Sequence, residues 1–432
     1  MKKSVWADTV KLEGFESLSR DIKTDVLVIG GGICGILCAY YLTQNGAKCV
    51  IVEKNRICSG ITENTTAKIT SQHGIIYSKI SKEYGKETAR MYLDINQKAI
   101  AEFEKLTKTI DCDFEKKDAF TYSTTDRKKV EDEVNFLKSI GFDASFEENT
   151  ELPFDIKGAV KFKNQAQFHP LKFLSGICEN LTIYENTAVL SLTPEYVLTD
   201  KGEIFAKQII VATHFPFINK HGSYFLKLYQ DRSYVCAYEY EKELQGMYVD
   251  EDKSGFSLRS YENLLLIGGS GHRTGKESLA WRGIRDFADK YYHGLPLKYE
   301  WAAQDCMSLD SIPYIGQYSK STPYLYVATG FNKWGMSSSM VSAMILSDIL
   351  SGRKNGYAHI FSPQRKILHP QLFANGIEAA INLLTPTAKR CSHLGCSLKW
   401  NKFEHTWDCP CHGSRFDKDG NVIDNPATKD IK

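Results

Sequence analysis

The sequence has 432 residues, of which 42% are hydrophobic and 25% charged, a globular composition that excludes a disordered or fibrous chain. Because one domain takes about 150 residues, we expect two or three. The 54 basic and 52 acidic residues leave a formal charge of +2. This is too little positive charge for a nucleic-acid-binding protein, so we expect no nucleic acid partner.

Neither a membrane span nor a secretory leader is apparent. No apolar run reaches the roughly 20 residues of a spanning helix, and the start, MKKSVWADTV, is polar where a leader is apolar. Of the 12 cysteines, eight are scattered through the first 306 residues, as in proteins of a reducing compartment. We therefore expect a cytoplasmic protein without a transmembrane segment.

The chain opens with a predicted βαβ unit. Asp25–Ile29 reads as a buried parallel strand, Ile36–Leu42 as a helix and Cys49–Val52 as a second strand. Helical patterns follow at Lys82–Thr109 and Asp126–Ile140.

Near residue 330 the chain repeats the arrangement of strand, glycine turn and helix with which it opens. A mixed sheet region is expected between Phe146 and Phe168. Further elements are predicted in chain order as strands at Gln208–Ala212, Leu264–Ile267 and Tyr324–Ala328, and as helices at Met336–Leu350 and Leu372–Leu384.

A glycine-rich loop joins the first strand to the first helix. Gly30, Gly32 and Gly35 form G-x-G-x-x-G, and Glu53 ends the second strand. The glycines allow a tight turn and a close approach to a pyrophosphate, and the acid suits ribose hydroxyls rather than a 2′-phosphate. The pattern predicts a dinucleotide site, but the loop alone leaves FAD and NAD open.

Several stretches decide between the two by resemblance. Over about residues 22–355 the chain resembles the D-amino-acid-oxidase-like superfamily of FAD-dependent oxidoreductases. The resemblance lies in four stretches: DVLVIGGGICGILCAYYLTQNGAKCVIVEK, SGITENTTAKITSQHG, QIIVAT and LDSIPYIGQYSKSTPYLYVATGFNKWGMS. The resemblance implies that FAD is the cofactor. The cofactor-binding candidates it adds to the glycine loop and Glu53 are Lys54, Gly60, Thr66, Ala67, Val189, Thr213, Gly330, Gly335, Met336 and Ser337.

One departure from this superfamily concerns the substrate. Its amino-acid oxidases commonly carry an Arg five residues before the position of Asp310, and here Asp305 stands in that place. A carboxylate cannot clamp a substrate carboxylate as Arg does, so ordinary amino-acid oxidation is not expected. Arg259 and Arg273 are alternative anion-binding residues. His272, Arg259 and Asp305 are the catalytic candidates, without an assigned role.

Four cysteines crowd into 21 residues near the carboxyl end. Cys391 and His393 stand as C-x-H, and Cys409 and His412 as C-x-x-H, a ligand set that suits either zinc or a Rieske [2Fe-2S] cluster. The surrounding CSHLGCSLKW and WDCPCHGSRF resemble the two cluster-binding loops of Rieske proteins. This resemblance implies a [2Fe-2S] cluster held by these four residues and a disulfide between Cys396 and Cys411.

The predicted fold class is α/β, with a Rossmann-like FAD domain, an inserted α+β substrate domain and a small all-β Rieske-type module. We expect the FAD domain at 1–355, with substrate parts near 75–180 and 215–310, a linker helix region at 356–388 and the Rieske module at 389–432. No alternating strand pattern precedes Cys391, so the module either lacks its base of strands or rests on the FAD domain.

The expected function is oxidation of a small amine or hydroxy compound by FAD, with electrons passing through the cluster to an acceptor protein or quinone-like molecule. Flow in the reverse direction stays open. A simple oxidase that uses oxygen and has a vestigial cluster, and a non-enzymatic redox sensor, are the alternatives.

Overall fold

The structure is a computed structural model that describes residues 3–252, 255–366, 368–387 and 389–431. Three ends of the predicted domains, Met1, Ala388 and Lys432, lie outside the described residues. Within the described ranges, no helix has the length and apolar character needed to cross a bilayer.

Ten helices occur in the described residues. They are α1 (Val5–Thr9), α2 (Ile33–Gln44), α3 (Tyr77–Tyr84), α4 (Lys86–Leu106), α5 (Arg127–Ser139), α6 (Pro170–Cys178), α7 (Tyr224–Lys227), α8 (Trp281–Tyr292), α9 (Gly335–Leu350) and α10 (Pro370–Leu384).

The same residues form 21 strands. They are β1 (Ile22–Ile29), β2 (Cys49–Val52), β3 (Lys68–Ile69), β4 (Glu115–Ser123), β5 (Ala144–Glu147), β6 (Gly158–Gln167), β7 (Thr182–Tyr184), β8 (Val189–Leu192), β9 (Val197–Thr199), β10 (Glu203–Val211), β11 (Leu228–Glu239), β12 (Gly246–Asp250), β13 (Ser257–Tyr261), β14 (Leu264–Arg273), β15 (Leu297–Ser308), β16 (Tyr314–Gln317), β17 (Leu325–Thr329), β18 (Lys399–Asn401), β19 (Thr406–Asp408), β20 (Arg415–Phe416) and β21 (Val422–Asp424).

The first sheet is the predicted Rossmann-like sheet. Its order is β16-β17-β10-β1-β2-β7, with β8 and β9 attached at β10. The pairs of β1 with β2 and β10, and of β17 with β10, are parallel. The Val- and Ile-rich strands are buried because their side chains alternate between a cluster that includes α2 and α9 and a second cluster on the other face. The carboxyl ends of β1, β2, β10 and β17 therefore open at one edge, where doubly wound sheets bind ligands.

The second sheet is mixed and has nine strands, in the order β15-β11-β14-β13-β12-β4-β6-β3 with β5 beside β6. Its longest ladder pairs β11 with β15 in antiparallel register, so that Asp231 lies opposite Asp305. α8 covers one face, where Trp281 and Phe287 join a buried cluster with Tyr234 and Ile267. This is the sheet of the inserted α+β region.

One predicted helix is in fact two. The apolar spacing over Lys82–Thr109 predicts a continuous helix, but α3 ends at Gly85 and α4 begins directly after it. Gly85 has φ +91°, a conformation that interrupts a right-handed helix and suits glycine. The prediction of one helix was wrong because periodicity continues across such a break.

The third sheet is small and antiparallel, in the order β18-β19-β20-β21. It holds two loops, Cys391–Ser397 and Cys409–Ser414. Its own core is modest, with Leu398, Phe416, Ala427 and the four cysteines as the main buried apolar residues. α10 precedes it and contacts α7.

Candidate functional site

A single cavity of about 2420 Å³ opens at the carboxyl edge of the parallel strands and extends along the second sheet. It is large enough for a dinucleotide together with a small substrate. The predicted cofactor residues that line it are Gly30, Gly32, Glu53, Lys54, Gly60, Thr66, Val189, Thr213, Gly335 and Met336. The cavity lining does not include Gly35, Ala67, Gly330 and Ser337, which lie behind it.

The glycine loop has the geometry that its sequence predicts. Gly30 has φ +111°, and a Cβ there would lie 2.6 Å from the carbonyl oxygen of Ala212. A Cβ on Gly35 would lie 2.0 Å from the carbonyl oxygen of Gly30. Gly32 precedes the first turn of α2 and borders the cavity. Gly30 and Gly35 therefore permit the turn, and Gly32 leaves room for a phosphate at the helix N-terminus.

Glu53 is fixed at the end of β2. Its Oε2 accepts from the Gly31 amide at 2.8 Å and its Oε1 from the Asn55 amide at 2.9 Å. Each carboxylate oxygen keeps a free lone pair beside the cavity, as ribose hydroxyl recognition requires.

The start of α9 has an unsatisfied polar group that fits a bound cofactor. Ser339 lines the cavity, and its hydroxyl is buried and has no hydrogen-bond partner in the part of the chain that the structure describes. A Cβ on Gly335 would meet no atom within 4 Å. The hydroxyl of Ser337 is already engaged, at 2.8 Å from Nε2 of His73. Buried hydroxyls normally have partners, so the open helix N-terminus and Ser339 fit a polar group of FAD.

Arg259 is fully buried behind this cavity. It donates through Nη1 to the carbonyl oxygens of Thr66 and Ala67, at 2.8 and 2.9 Å. Burial lowers its pKa to about 9. Arg259 is absent from the cavity lining, so it positions the Thr66–Ala67 loop and does not meet substrate directly.

Neither His272 nor Arg273 lines the cavity, and Arg273 contacts the carboxyl-terminal module. Nδ1 of His272 lies 2.9 Å from the carbonyl oxygen of Arg273, and its Nε2 lies 3.2 Å from the Tyr234 hydroxyl. Arg273 donates to the carbonyl oxygens of Pro410 and Cys411, both at 2.9 Å. Arg273 therefore docks the second cysteine loop and binds no external anion in this arrangement.

Among the titratable groups that line the cavity, Asp305 and Lys68 have pKa values shifted toward neutral pH. Burial raises the pKa of Asp305 to about 6, although the ammonium of Lys333 opposes the shift. Burial lowers the pKa of Lys68 to about 7. The Lys68 amine contacts hydroxyls, Thr66 Oγ1 at 3.2 Å and Ser257 Oγ at 3.4 Å. The cavity thus holds a carboxylate and an amine that titrate near neutral pH.

The four predicted cluster ligands come together in the third sheet. The Cys391 thiol lies close enough to that of Cys409 for Cys409 to be the main influence raising the pKa of Cys391, and the rings of His393 and His412 lie 4.9 Å apart at 89°. The Nδ1 atoms of both histidines are buried, and neither has a hydrogen-bond partner among the residues that the structure describes. Buried ring nitrogens without partners are costly, whereas metal ligation satisfies them. Two thiols and two free imidazole nitrogens are the donor set of a [2Fe-2S] Rieske cluster.

The predicted disulfide is not formed. Cys396 and Cys411 are free thiols in the structure, so the pairing that the resemblance implied is corrected here. Their Sγ atoms lie within 4.8 Å of each other and of Cys409. These three thiols form a second group with metal-ligand spacing, which shares Cys409 with the predicted ligand set.

The two cysteine loops rest on the second sheet. Gln230 donates to the carbonyl oxygen of His412 at 2.8 Å, and Gln304 to that of Gly413 at 2.9 Å. Gly413 has φ +85° and a Cβ there would lie 2.5 Å from Gln230 Cβ. β11 and β15 thus provide the support that the sequence of the module lacks.

An ion pair links the tip of the β18–β19 hairpin to β11. Glu404 accepts from Arg232 through both oxygens, and its Oε2 also lies 2.9 Å from Arg415. Burial opposes ionisation of Glu404, but the two guanidinium groups prevail and lower its pKa to about 2. A bidentate, buried pair of this kind fixes the relative position of the modules.

A short segment after β10 joins the cavity to the cluster loops. Thr213 and His214 line the cavity. The ring of the fully buried Phe215 lies 6.4 Å from the rings of both His393 and His412. Asn425 donates to the carbonyl oxygens of Thr213 and Phe215. Three consecutive residues therefore touch both sites.

The docking residues Gln230, Arg232, Gln304, Glu404 and Asn425 have no signal in the sequence. Each is a polar residue in a strand or turn, and its partner lies 100 or more positions away along the chain. The roles of Phe215 and Ser339 cannot be predicted from the sequence either, because the burial of a side chain and the lack of a partner depend on the fold.

Comparisons with known proteins agree with both sites. The FAD dependent oxidoreductase family matches residues 25–349, and the Rieske [2Fe-2S] domain matches residues 382–432. The chain is 35% identical to the "Putative Rieske 2Fe-2S iron-sulfur protein YhfW" of Bacillus subtilis over 490 aligned positions, which cover 99% of this chain and 96% of the relative.

Two more distant similarities concern the flavin part. The "Gamma-glutamylputrescine oxidoreductase" of Escherichia coli is 24% identical over 80% of this chain and 88% of its own. The crystal structure of L-proline dehydrogenase from P. horikoshii superimposes with a TM-score of 0.67 at 16% identity, over 81% of this chain and 98% of that one. The latter shows the shared fold. With a family match over most of its length, the chain belongs to the D-amino-acid-oxidase-like FAD-dependent oxidoreductases, as an enzyme that carries FAD and a carboxyl-terminal Rieske [2Fe-2S] domain.

Proposed function

We propose that this enzyme oxidises a small amine or hydroxy compound and passes the electrons through its Rieske cluster to an acceptor. FAD supplies two-electron chemistry and the cluster supplies one-electron transfer. The observation that carries the proposal is the segment Thr213–Phe215, which lines the cavity at one end and packs on both histidines at the other. Three residues span at most about 11 Å, so the two sites are close neighbours.

The residues proposed to hold FAD divide by what they contact. Gly30, Gly32 and Gly35 shape the loop for the pyrophosphate, and Glu53 accepts from ribose hydroxyls. Of the remaining candidates, those that line the cavity are Lys54, Gly60, Thr66, Val189, Thr213, Gly335 and Met336. Ala67, Gly330 and Ser337 lie outside the lining and would act by supporting it. We add Ser339, because its buried hydroxyl has no partner.

The residues proposed to hold the irons are Cys391, His393, Cys409 and His412. Nε2 of His393 lies 2.9 Å from Asn219 Oδ1, and His412 hydrogen-bonds the backbone of Phe225. With Nε2 of His393 engaged in this way, its Nδ1 is the nitrogen available for iron, and the ring orientation is fixed. Nδ1 of His412 is likewise buried and has no hydrogen-bond partner among the described residues. Both contacts come from the flavin part, so the histidine side of the cluster faces that part. This arrangement supports transfer within the chain.

Asp305 supports an amine as the substrate. It lies in the cavity wall, opposite Asp231 on the neighbouring strand. Lys333 forms an ion pair with Asp231, with 3.7 Å between nitrogen and oxygen. Asp305 accordingly keeps a carboxylate for a substrate cation, and the distant similarity to an enzyme named for an amine substrate points the same way.

The division into flavin domain (1–355), linker (356–388) and Rieske module (389–432) is part of the proposal, as is a cytoplasmic location. The free, buried state of the cysteines supports the location, because such thiols persist in a reducing compartment.

Anaerobic reduction tests the function. Candidate amines and hydroxy compounds are added without oxygen, and the flavin and cluster absorption bands are followed together. Bleaching of both, with a rhombic electron paramagnetic resonance signal, is the expected result. Bleaching of the flavin alone would indicate an oxidase with a vestigial cluster, and no reduction by any compound would favour a sensor.

A further inference from the structure

The helix α10 exposes its apolar face to solvent and buries its polar face. Phe373, Ile377, Ile381 and Leu384 follow one another at steps of four, four and three residues, which places them on one helical face. All four are exposed, with Ile377 62% and Leu384 82% exposed. Leu368 and Leu383 are exposed beside them. We call these six residues the apolar stripe. A helix of a folded protein normally buries such a face.

The opposite, polar face of α10 is the buried one. Asn375 accepts from Arg273 at 2.9 Å, and Asn382 accepts from the Ser397 hydroxyl at 3.0 Å. Glu378 forms an ion pair with Lys276 at 2.6 Å. Because these polar contacts fix the rotation of α10, the apolar stripe cannot turn inward without breaking them.

The segment that carries the apolar stripe has cations at both of its ends. Residues 366–390 contain three cations, Lys366 at one end and Lys389 and Arg390 at the other. Their one acid is Glu378, which is already paired. An apolar helix face flanked by cations is the pattern of a helix that lies in the interface of an anionic bilayer.

A second copy of this chain fits the apolar stripe less well. In an antiparallel pair of α10 helices, Lys366 of one copy meets Lys389 and Arg390 of the other. In a parallel pair, each of these cations meets the same cation of the second copy. Both arrangements bring like charges together, which opposes association. Anionic lipid headgroups complement both ends at once.

The helix is joined to the first cluster loop. Arg390 donates to the carbonyl oxygens of Leu383 and Gly395, at 3.0 and 2.9 Å, and the Ser397 amide donates to the carbonyl oxygen of Asn382 at 2.9 Å. Leu394, at the tip of that loop, is 40% exposed. A surface that binds α10 therefore also comes close to the loop that holds Cys391 and His393.

We propose that α10 docks the protein on an anionic membrane surface, with the apolar stripe in the lipid interface. The inference deepens the proposed function and rests on it for the acceptor, which at such a surface is a lipid-soluble, quinone-like molecule. The contact is peripheral and needs no spanning helix.

Vesicle flotation with the oxidised holoprotein tests the docking. Vesicles of phosphatidylcholine with phosphatidylglycerol are expected to bind the protein more tightly than pure phosphatidylcholine. Ile377→Glu combined with Ile381→Glu should weaken binding about tenfold or more, because two large side chains lose their burial in lipid. Lys366→Gln combined with Lys389→Gln should weaken it about tenfold at low salt and reduce its salt dependence.

Leu279→Glu is the matched control, because Leu279 is similarly exposed, at 58%, but lies outside the apolar stripe, near Lys276, which contacts the opposite face of α10. It should bind vesicles as the unmodified protein does. If the double glutamate variant loses FAD or iron, Ile381→Ser is the milder substitution, and it should still weaken binding measurably.

Absence of binding by the unmodified protein, or an equal loss in Leu279→Glu, would overturn the proposal. So would a dimer in light scattering that Ile377→Glu dissociates, because a second copy would then cover the apolar stripe. Flotation involves no turnover, so its failure is separable from a failure of electron transfer, which the anaerobic reduction in solution measures by itself.

Discussion

His393 and His412 face each other with their ring planes at 89° and their centroids 4.9 Å apart, and Nδ1 of each ring is buried with no partner within the described ranges. Two adjacent unsatisfied imidazoles mark the place of a shared ligand. The nearby thiols offer two ways to complete the set: Cys391 with Cys409, or the trio of Cys396, Cys409 and Cys411.

Single substitutions of the cysteines separate these sets. Cys391→Ser should lower iron and acid-labile sulfide from about two per chain to near zero, because an alcohol is a poor substitute for a thiolate. Cys396→Ser is the matched control and should retain the irons. Iron and sulfide analysis with electron paramagnetic resonance gives the answer. If Cys391→Ser keeps its irons and Cys396→Ser loses them, the ligands are instead the thiols of Cys396, Cys409 and Cys411.

Arg273 offers a test of the docking of the cluster loop. Arg273→Ala removes the bonds to the carbonyl oxygens of Pro410 and Cys411, which should cost about 2 kcal/mol or more of docking free energy. The flavin should still be reduced by substrate at the normal rate, while cluster reduction slows. Stopped-flow absorption resolves the two phases. Arg285→Ala, which breaks a surface ion pair with Glu300, should leave both phases unchanged. Equal slowing in the two variants would rule out a specific role for Arg273.

Two glycines of the first loop should respond differently to alanine. Gly35→Ala places a Cβ 2.0 Å from the Gly30 carbonyl oxygen, so we expect a loss of about 3 kcal/mol or more in the free energy of unfolding. In Gly32→Ala the nearest atom is Thr62 Oγ1 at 3.3 Å, so the protein should fold but bind FAD weakly. Thermal unfolding of the apoprotein and FAD titration measure the two effects. A Gly35→Ala protein with normal stability and normal FAD content would contradict the geometry.

The raised pKa of the Asp305 carboxyl leads us to expect that amine oxidation depends on pH. Burial raises its pKa to about 6, so Asp305 is an anion above that pH and neutral below it. The kcat/KM for a cationic amine should then fall by about tenfold per pH unit below 6. In Asp305→Asn it should be low at every pH and lack this limb. A limb that persists in Asp305→Asn would assign the ionisation to another group.

The local parts of both sites could be predicted from sequence, and the parts that join them could not. Gly30, Gly32 and Gly35 lie within six positions, and Glu53 ends the next predicted strand. Cys409 and His412 are three positions apart, so local spacing alone indicates the chemistry of both patterns. The contact of Arg232 with Glu404 joins residues 172 positions apart, and no periodicity records such a contact. The break at Gly85 was missed for a related reason, since an apolar pattern continues across a change of backbone conformation.

The support beneath the cysteine loops has a consequence for how the protein is made. Gln230, Arg273 and Gln304 leave the ribosome more than 85 residues before Cys391 does. Amino-terminal parts of a chain generally fold first during synthesis, so this support is in place when the ligands emerge. Insertion of the irons is then a finishing step of maturation, performed on a chain whose larger part has already folded.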